Sequence, residues 1–142
     1  MRIDFYHLER SNLDTELPFI MEGLYAEKKR VLIRTDSPER TDYIGNLLWT
    51  YNSDKWLPHG TVKDGRTQKQ PIFITEGSDN PNNATVLAVV SGEELDFTAP
   101  ENKAFEHILI IFSAHDMTAK DNARKLWLTA KEKGYELYYL KR

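Results

Sequence analysis

The stretch RVLIRT, residues 30–35, sets three branched apolar residues, Val31, Leu32 and Ile33, in an unbroken run. A strand with water on one face alternates apolar and polar side chains, whereas a strand covered on both faces is apolar throughout, as in parallel sheets. The residues before it complete the reading. RIDFYHL, residues 2–8, is rich in aromatic and branched side chains and ends at the polar break ERSN. Leu13, Leu17, Ile20, Met21 and Leu24 then recur at helical spacing, with Lys28 and Lys29 near the end, where cations suit the helix dipole. Strand, amphipathic helix and strand within about 35 residues form a βαβ unit.

The rest of the chain extends that unit. In DSPER, residues 36–40, Ser37 is placed to cap a second helix that has Pro38 at its first position. VKDGRTQKQ (62–70) reads as a polar loop and PIFITEG (71–77) as a third strand. SDNPNNA (78–84) is a turn cluster, TVLAVVSG (85–92) a fourth strand and HILIIFSA (107–114) a fifth. A last helix is predicted over residues 118–133, stopped by Gly134, and YELYYL (135–140) closes the sheet. The expected fold is α/β: one domain over residues 1–142, a mainly parallel sheet with helices on both faces, Rossmann-like but without a nucleotide-binding loop.

Composition narrows the chemistry. Cysteine is absent, which removes disulfides, thiolate metal sites and cysteine nucleophiles and suits a reducing cytoplasm. The N-terminal residues MRIDFYHLER have no apolar run of signal-peptide length, and no window approaches a membrane span, so a cytoplasmic protein is expected. The net charge of −3 argues against wholesale neutralisation of nucleic-acid phosphates. Yet residues 117–142 carry a balance of +4 against −7 for the rest. A local basic patch on an acidic protein suggests one anionic partner at one place.

Catalytic motifs are missing. HLERSNLD (7–14), where a phosphate-binding loop would follow the first strand, has no glycine, and neither GxGxxG nor GxxxxGK[ST] occurs elsewhere. His7, His59, His107 and His115 show no paired metal-ligand spacing, so neither a metal nor another cofactor is expected. FSAHD (112–116) puts a serine, a histidine and an aspartate together at a strand end. Triads are usually assembled from separate loops, and Asp116 or a neighbour is more simply the cap of the last helix.

Two surfaces instead look made for binding. On the second helix Tyr43, Ile44, Leu47, Leu48 and Tyr51 form an apolar stripe, and Trp49 projects almost opposite it, among Thr41, Asp42, Gly45 and Asn52. Trp56, Leu57 and Pro58 follow where the chain leaves the helix. Either this is an exposed hydrophobic patch for a partner, or the chain between residues 60 and 71 folds back over both indoles. On the last helix Ala119, Ala123, Leu126 and Ala130 define a buried face, with Lys120, Arg124, Trp127 and Lys131 in a stripe beside it. Such a stripe can hold a peptide carboxylate while an apolar side chain enters the neighbouring groove; it can equally be a solvated face with Trp127 tucked into the core.

FYHL (5–8), KRVLIRT (29–35), LLWTYNSDKWLPHG (47–60) and ARKLWLTAKEKGY (123–135) occur in the order and spacing of the chi subunit of bacterial DNA polymerase III, which the chain resembles over essentially its whole length. The most specific elements are Trp49, seven residues and then Leu-Pro-His, and some 60 residues on an Ala-Arg helix with an aromatic three positions later. The resemblance implies a non-catalytic accessory subunit of the polymerase's clamp-loader assembly, acting in DNA replication. It also implies two partners. The psi subunit, or a helicase competing for the same patch, would cover Trp49, Trp56, Leu57 and Pro58. The acidic C-terminal tail of single-stranded-DNA-binding protein would meet Arg124, with Trp127 in place of a family tyrosine. A family lysine is Leu128 here, so Lys120, Lys125 or Lys131 must supply the remaining charge. The competing reading from the residues alone is a small hydrolase or nucleotide-using enzyme with FSAHD and His59 at the strand ends.

Overall fold

A computed structural model describes residues 1–142 apart from Ser53 and Lys55. Six strands form one sheet: β1 (Arg2–Leu8), β2 (Val31–Arg34), β3 (Ile72–Thr75), β4 (Val86–Val89), β5 (His107–Ser113) and β6 (Glu136–Lys141). Three helices accompany them, α1 (Leu13–Ala26), α2 (Pro38–Thr50) and α3 (Met117–Glu132). The strand order is β3-β2-β4-β5-β1-β6 and every pairing is parallel. The α/β expectation therefore holds. β1 and β2 are not neighbours, however: α1 carries the chain past β5 and β4 before β2 is laid down.

The helix ends follow the sequence signals. Asn12 Oδ1 accepts from the Thr15 amide at 2.9 Å, Ser37 Oγ from Arg40 at 3.1 Å and Asp116 Oδ1 from Ala119 at 3.1 Å, each satisfying a first-turn N–H that lacks a helical partner. Gly134 stops α3 at φ 74°, and the Tyr135 amide reaches back to the Ala130 carbonyl at 3.2 Å.

Each face of the sheet has its own core. Val31, Ile33, Ile72, Ile74, Leu109 and Ile111 pack under α1 and α2 through Leu17, Met21, Ile44 and Leu48. Ile3, Phe5, Leu87, Ile108 and Ile110 pack under α3 and the 91–106 segment through Ala119, Ala123, Leu126, Ala130, Phe97 and Phe105. Leu32 belongs to one core while Val31 and Ile33 belong to the other, which is why RVLIRT had to be apolar throughout. Arg34 ends that strand buried; its guanidinium donates to Asn102 Oδ1 and the Ser78 carbonyl, both at 3.0 Å, and so ties the 91–106 segment to the sheet.

Where that segment begins, Gly92 sits at φ 69°, and a Cβ there would stand 2.3 Å from the Ala119 Cβ and 2.8 Å from its Cα. Gly92→Ala is expected to lower stability by about 1–3 kcal/mol, from the left-handed backbone together with the clash. A urea midpoint unchanged from wild type would mean that α3 is not seated this closely.

Candidate functional site

The first surface is built where α2 ends. Trp49 is 51% exposed and Trp56 is 73% exposed. Leu57 and His59 hold the chain between them and the next strand. Contrary to the expectation of an open apolar loop, Leu57 is only 2% exposed and belongs to the core under α1 and α2. Leu57 therefore anchors the patch from below, and Pro58 is half-buried beside it. His59 is buried, with Nδ1 2.7 Å from the Leu57 carbonyl and Nε2 2.9 Å from the Gly45 carbonyl, and its ring lies 4.4 Å from that of Trp49. The histidine thus staples the departing loop to α2 and props one indole from behind.

The polar face of α2 is more covered than its sequence suggested. Thr41 and Gly45 are buried, while Tyr43, expected in the apolar stripe, is exposed and bonds to Asp14. The chain does return across this face: Thr61 reaches Gly45, and Lys63 pairs with Asp42 at 2.8 Å. It stops short of the indoles, which stay largely open.

The second surface is a pocket of about 230 Å³ between α3 and the strands beneath it. Phe5 and His7 of β1, Phe112 of β5 and Tyr139 of β6 form its floor, and Lys120, Ala123, Arg124 and Trp127 of α3 form its wall. Trp127 is half-buried and meets Phe5 and Tyr139 edge to face, at 5.2 and 6.1 Å. It packs on the core and still presents a side to the pocket. Neither Lys120 nor Arg124 has an acidic partner among the described residues. A cavity of about 150 Å³ is enough to hold a benzene ring. The site can therefore take one aromatic side chain and offer two uncompensated cations to a nearby carboxylate.

Of the four residues expected on this helix, Lys120, Arg124 and Trp127 line the pocket and one does not. Lys131 does not line the pocket, because seven residues carry it about 10 Å along the helix from Arg124. Leu128 is 56% exposed and also lies outside. Of the three lysines that could supply charge, the fold brings only Lys120 to the pocket. Phe5, His7, Phe112 and Tyr139 were not foreseen as site residues. The alternation of FYHL puts Phe5 and His7 on one face, but joining them to Tyr139 needs the β5-β1-β6 order, which the sequence does not display.

The elements of the hydrolase reading are dispersed. Ser113 Oγ accepts from the His115 amide at 3.2 Å, His115 Nε2 lies 3.1 Å from the Glu9 carbonyl, and Asp116 caps α3. No hydrogen bond links these three side chains in a relay, and His59 is committed to backbone carbonyls on another loop. No group of three or more metal-ligating side chains is assembled among the described residues.

With both surfaces in view, comparison with known proteins gives one family. Residues 1–138 match the model of the family described as DNA polymerase III chi subunit, HolC. The chain belongs to that family. A protein of Rickettsia prowazekii (strain Madrid E), described as a probable DNA polymerase III subunit chi, is 35% identical over 98 residues, which are 67% of this chain. The matched stretch spans 59% of that relative's length.

Burial separates the roles of neighbours in the first surface. Leu57→Ala is expected to cost about 2–5 kcal/mol of stability by opening a core cavity, and Trp56→Ala about 0.5 kcal/mol or less. Equal losses in chemical denaturation would contradict this division.

Proposed function

We propose that this chain is a non-catalytic adaptor of the DNA polymerase III holoenzyme that works in the cytoplasm during DNA replication. It joins the clamp-loader assembly through the Trp49–Trp56 patch and grips the acidic C-terminal tail of single-stranded-DNA-binding protein at the α3 pocket. The observation that carries this reading is the pairing of an aromatic-floored pocket with two unpaired cations. A peptide that ends in an aromatic residue, with acidic residues before it, matches both halves. Membership of the chi family supports the same assignment, and nucleic acid is then met only indirectly, through the protein that coats it.

The tryptophan patch takes a polypeptide of another kind. Two exposed indoles, at the end of α2 and in the loop that follows it, are suited to a largely apolar partner surface, for which the psi subunit, or a helicase that competes with it, is the candidate. Tethering gives the arrangement its use. With one surface fixed to the polymerase, a modest affinity at the other suffices, because many tails are displayed along coated template.

A labelled peptide ending in Asp-Asp-Asp-Ile-Pro-Phe is expected to bind wild type and to bind Arg124→Ala roughly tenfold or more weakly, since a hydrogen bond to a charged group is worth about 1.5–3 kcal/mol. Added salt should weaken binding to wild type more than to the variant. Equal binding by both proteins would remove the pocket as the tail site. For the other surface, Trp49→Ala combined with Trp56→Ala should leave the thermal transition close to wild type while abolishing co-purification with co-expressed psi subunit. Retention of psi by the double variant would place that interface elsewhere.

A further inference from the structure

β6 is the last strand in the order β3-β2-β4-β5-β1-β6 and is paired on one side only. The Glu136 amide donates to the Met1 carbonyl and the Arg142 amide to the His7 carbonyl, so even-numbered residues turn their backbone groups toward β1. The N–H and C=O groups of Leu137, Tyr139 and Lys141 therefore face outward, along an edge that no other strand of the described residues pairs with. Such an edge is a template for a further strand unless charge, proline or a bulge blunts it. Here the protection is slight. ELYYLK has no proline, and its register with β1 runs without a break. Tyr138 and Tyr139 are exposed, and Lys141 is held by Glu9 at 3.0 Å.

The two faces of β6 carry different side chains. Tyr139 meets Trp127, so the odd positions lie on the α3 face, and Arg142 donates to Glu16, so the even positions lie on the α1 face. A second copy pairs antiparallel with this edge about a two-fold axis normal to the sheet. That axis keeps each face on its own side, and odd positions must meet odd, even meet even. With the axis at Tyr139, Glu136 stands opposite Arg142 of the other copy, Leu137 opposite Lys141, Tyr138 opposite Leu140 and Tyr139 opposite its equivalent. Both ends of the pairing are then closed by opposite charges. Glu136 has no ion-pair partner among the described residues, and Arg142 engages Glu16 through Nε, with its terminal nitrogens still free among them. An axis at Tyr138 would set Glu136 opposite Leu140, and one at Leu140 would set Arg142 opposite Tyr138; each loses the charge match.

We propose that β6 is a self-association edge: two copies of this chain pair β6 to β6, antiparallel about Tyr139, and join their sheets into one. The pairing rests on the edge alone and not on the reading of the α3 pocket. Because Tyr139 also belongs to the floor of that pocket, the second copy's Tyr139 comes to its rim, and the two pockets open on the same face of the joined sheet. Two ligand segments on one template can then be held at once.

Sedimentation equilibrium of the full chain, from micromolar to millimolar concentration, should show a reversible monomer–dimer equilibrium. Glu136→Arg sets like charges opposite each other at both ends and should weaken the dimer roughly three- to tenfold. The chain has no cysteine, so Tyr139→Cys places a single thiol on the axis. Opposed Cα atoms of a hydrogen-bonded antiparallel pair are about 5.5 Å apart, within disulfide reach. Mild oxidation should therefore link Tyr139→Cys into a covalent dimer and leave Tyr138→Cys, which faces Leu140, largely unlinked. Wild type that stays monomeric at every concentration overturns the proposal, whatever the variants do, and leaves the edge to solvent or to a strand of a different protein. Equal cross-linking of the two cysteine variants, or a Glu136→Arg dimer as tight as wild type, overturns the pairing about Tyr139.

Discussion

The close seating of α3 is the constraint on which the second surface depends. Ala119, Ala123 and Ala130 turn the helix toward the sheet with the smallest chiral side chains available, and Gly92 gives way where a Cβ would strike Ala119. A helix held this low cannot cover the larger aromatics of β1, β5 and β6 completely. Beside Ala123 the helix leaves a hollow floored by Phe5, Phe112 and Tyr139, and Trp127 closes only one side of it. The pocket is thus a product of packing, and its cations come from the solvent-facing flank of the same helix.

The tryptophan patch arises from a different economy. Leu57 and His59 point inward and fix the loop after α2, one by joining the core and the other by bridging two carbonyls. With those anchors in place Trp56 is left outside, and Trp49 rests its ring against His59 without being enclosed. The Trp49 ring is therefore backed by a fixed side chain, which lowers the cost of ordering it against a partner. The two surfaces belong to helices on opposite faces of the sheet, so neither partner need displace the other.

Much of this was legible in the residues because it depends on local chemistry. Ser37, Pro38, Asp116 and Gly134 mark helix ends through short-range hydrogen bonds and backbone conformation, and the apolar run at Val31–Ile33 reports cover on both faces. Arg124 and Trp127 share a flank by helical periodicity alone. What could not be read required knowing which strands are neighbours. His7 and Tyr139 are 132 residues apart and meet because β6 returns to pair with β1. The burial of Leu57 is hidden for a related reason: a loop residue beyond the end of α2 has no helical period to announce it, and its neighbours in the core come from other segments. Lys131 followed the right stripe but ran past the end of the pocket, whose extent is set by strands rather than by the helix.

The three tryptophans offer the most direct test, since one stands in the pocket and two in the patch. In a two-dimensional NMR titration of the full chain with the acidic, phenylalanine-ended peptide, the indole N–H signal of Trp127 should move to saturation while those of Trp49 and Trp56 stay in place. Movement of the Trp49 and Trp56 signals with Trp127 unaffected would show that the exposed indoles, and not the α3 pocket, receive the peptide.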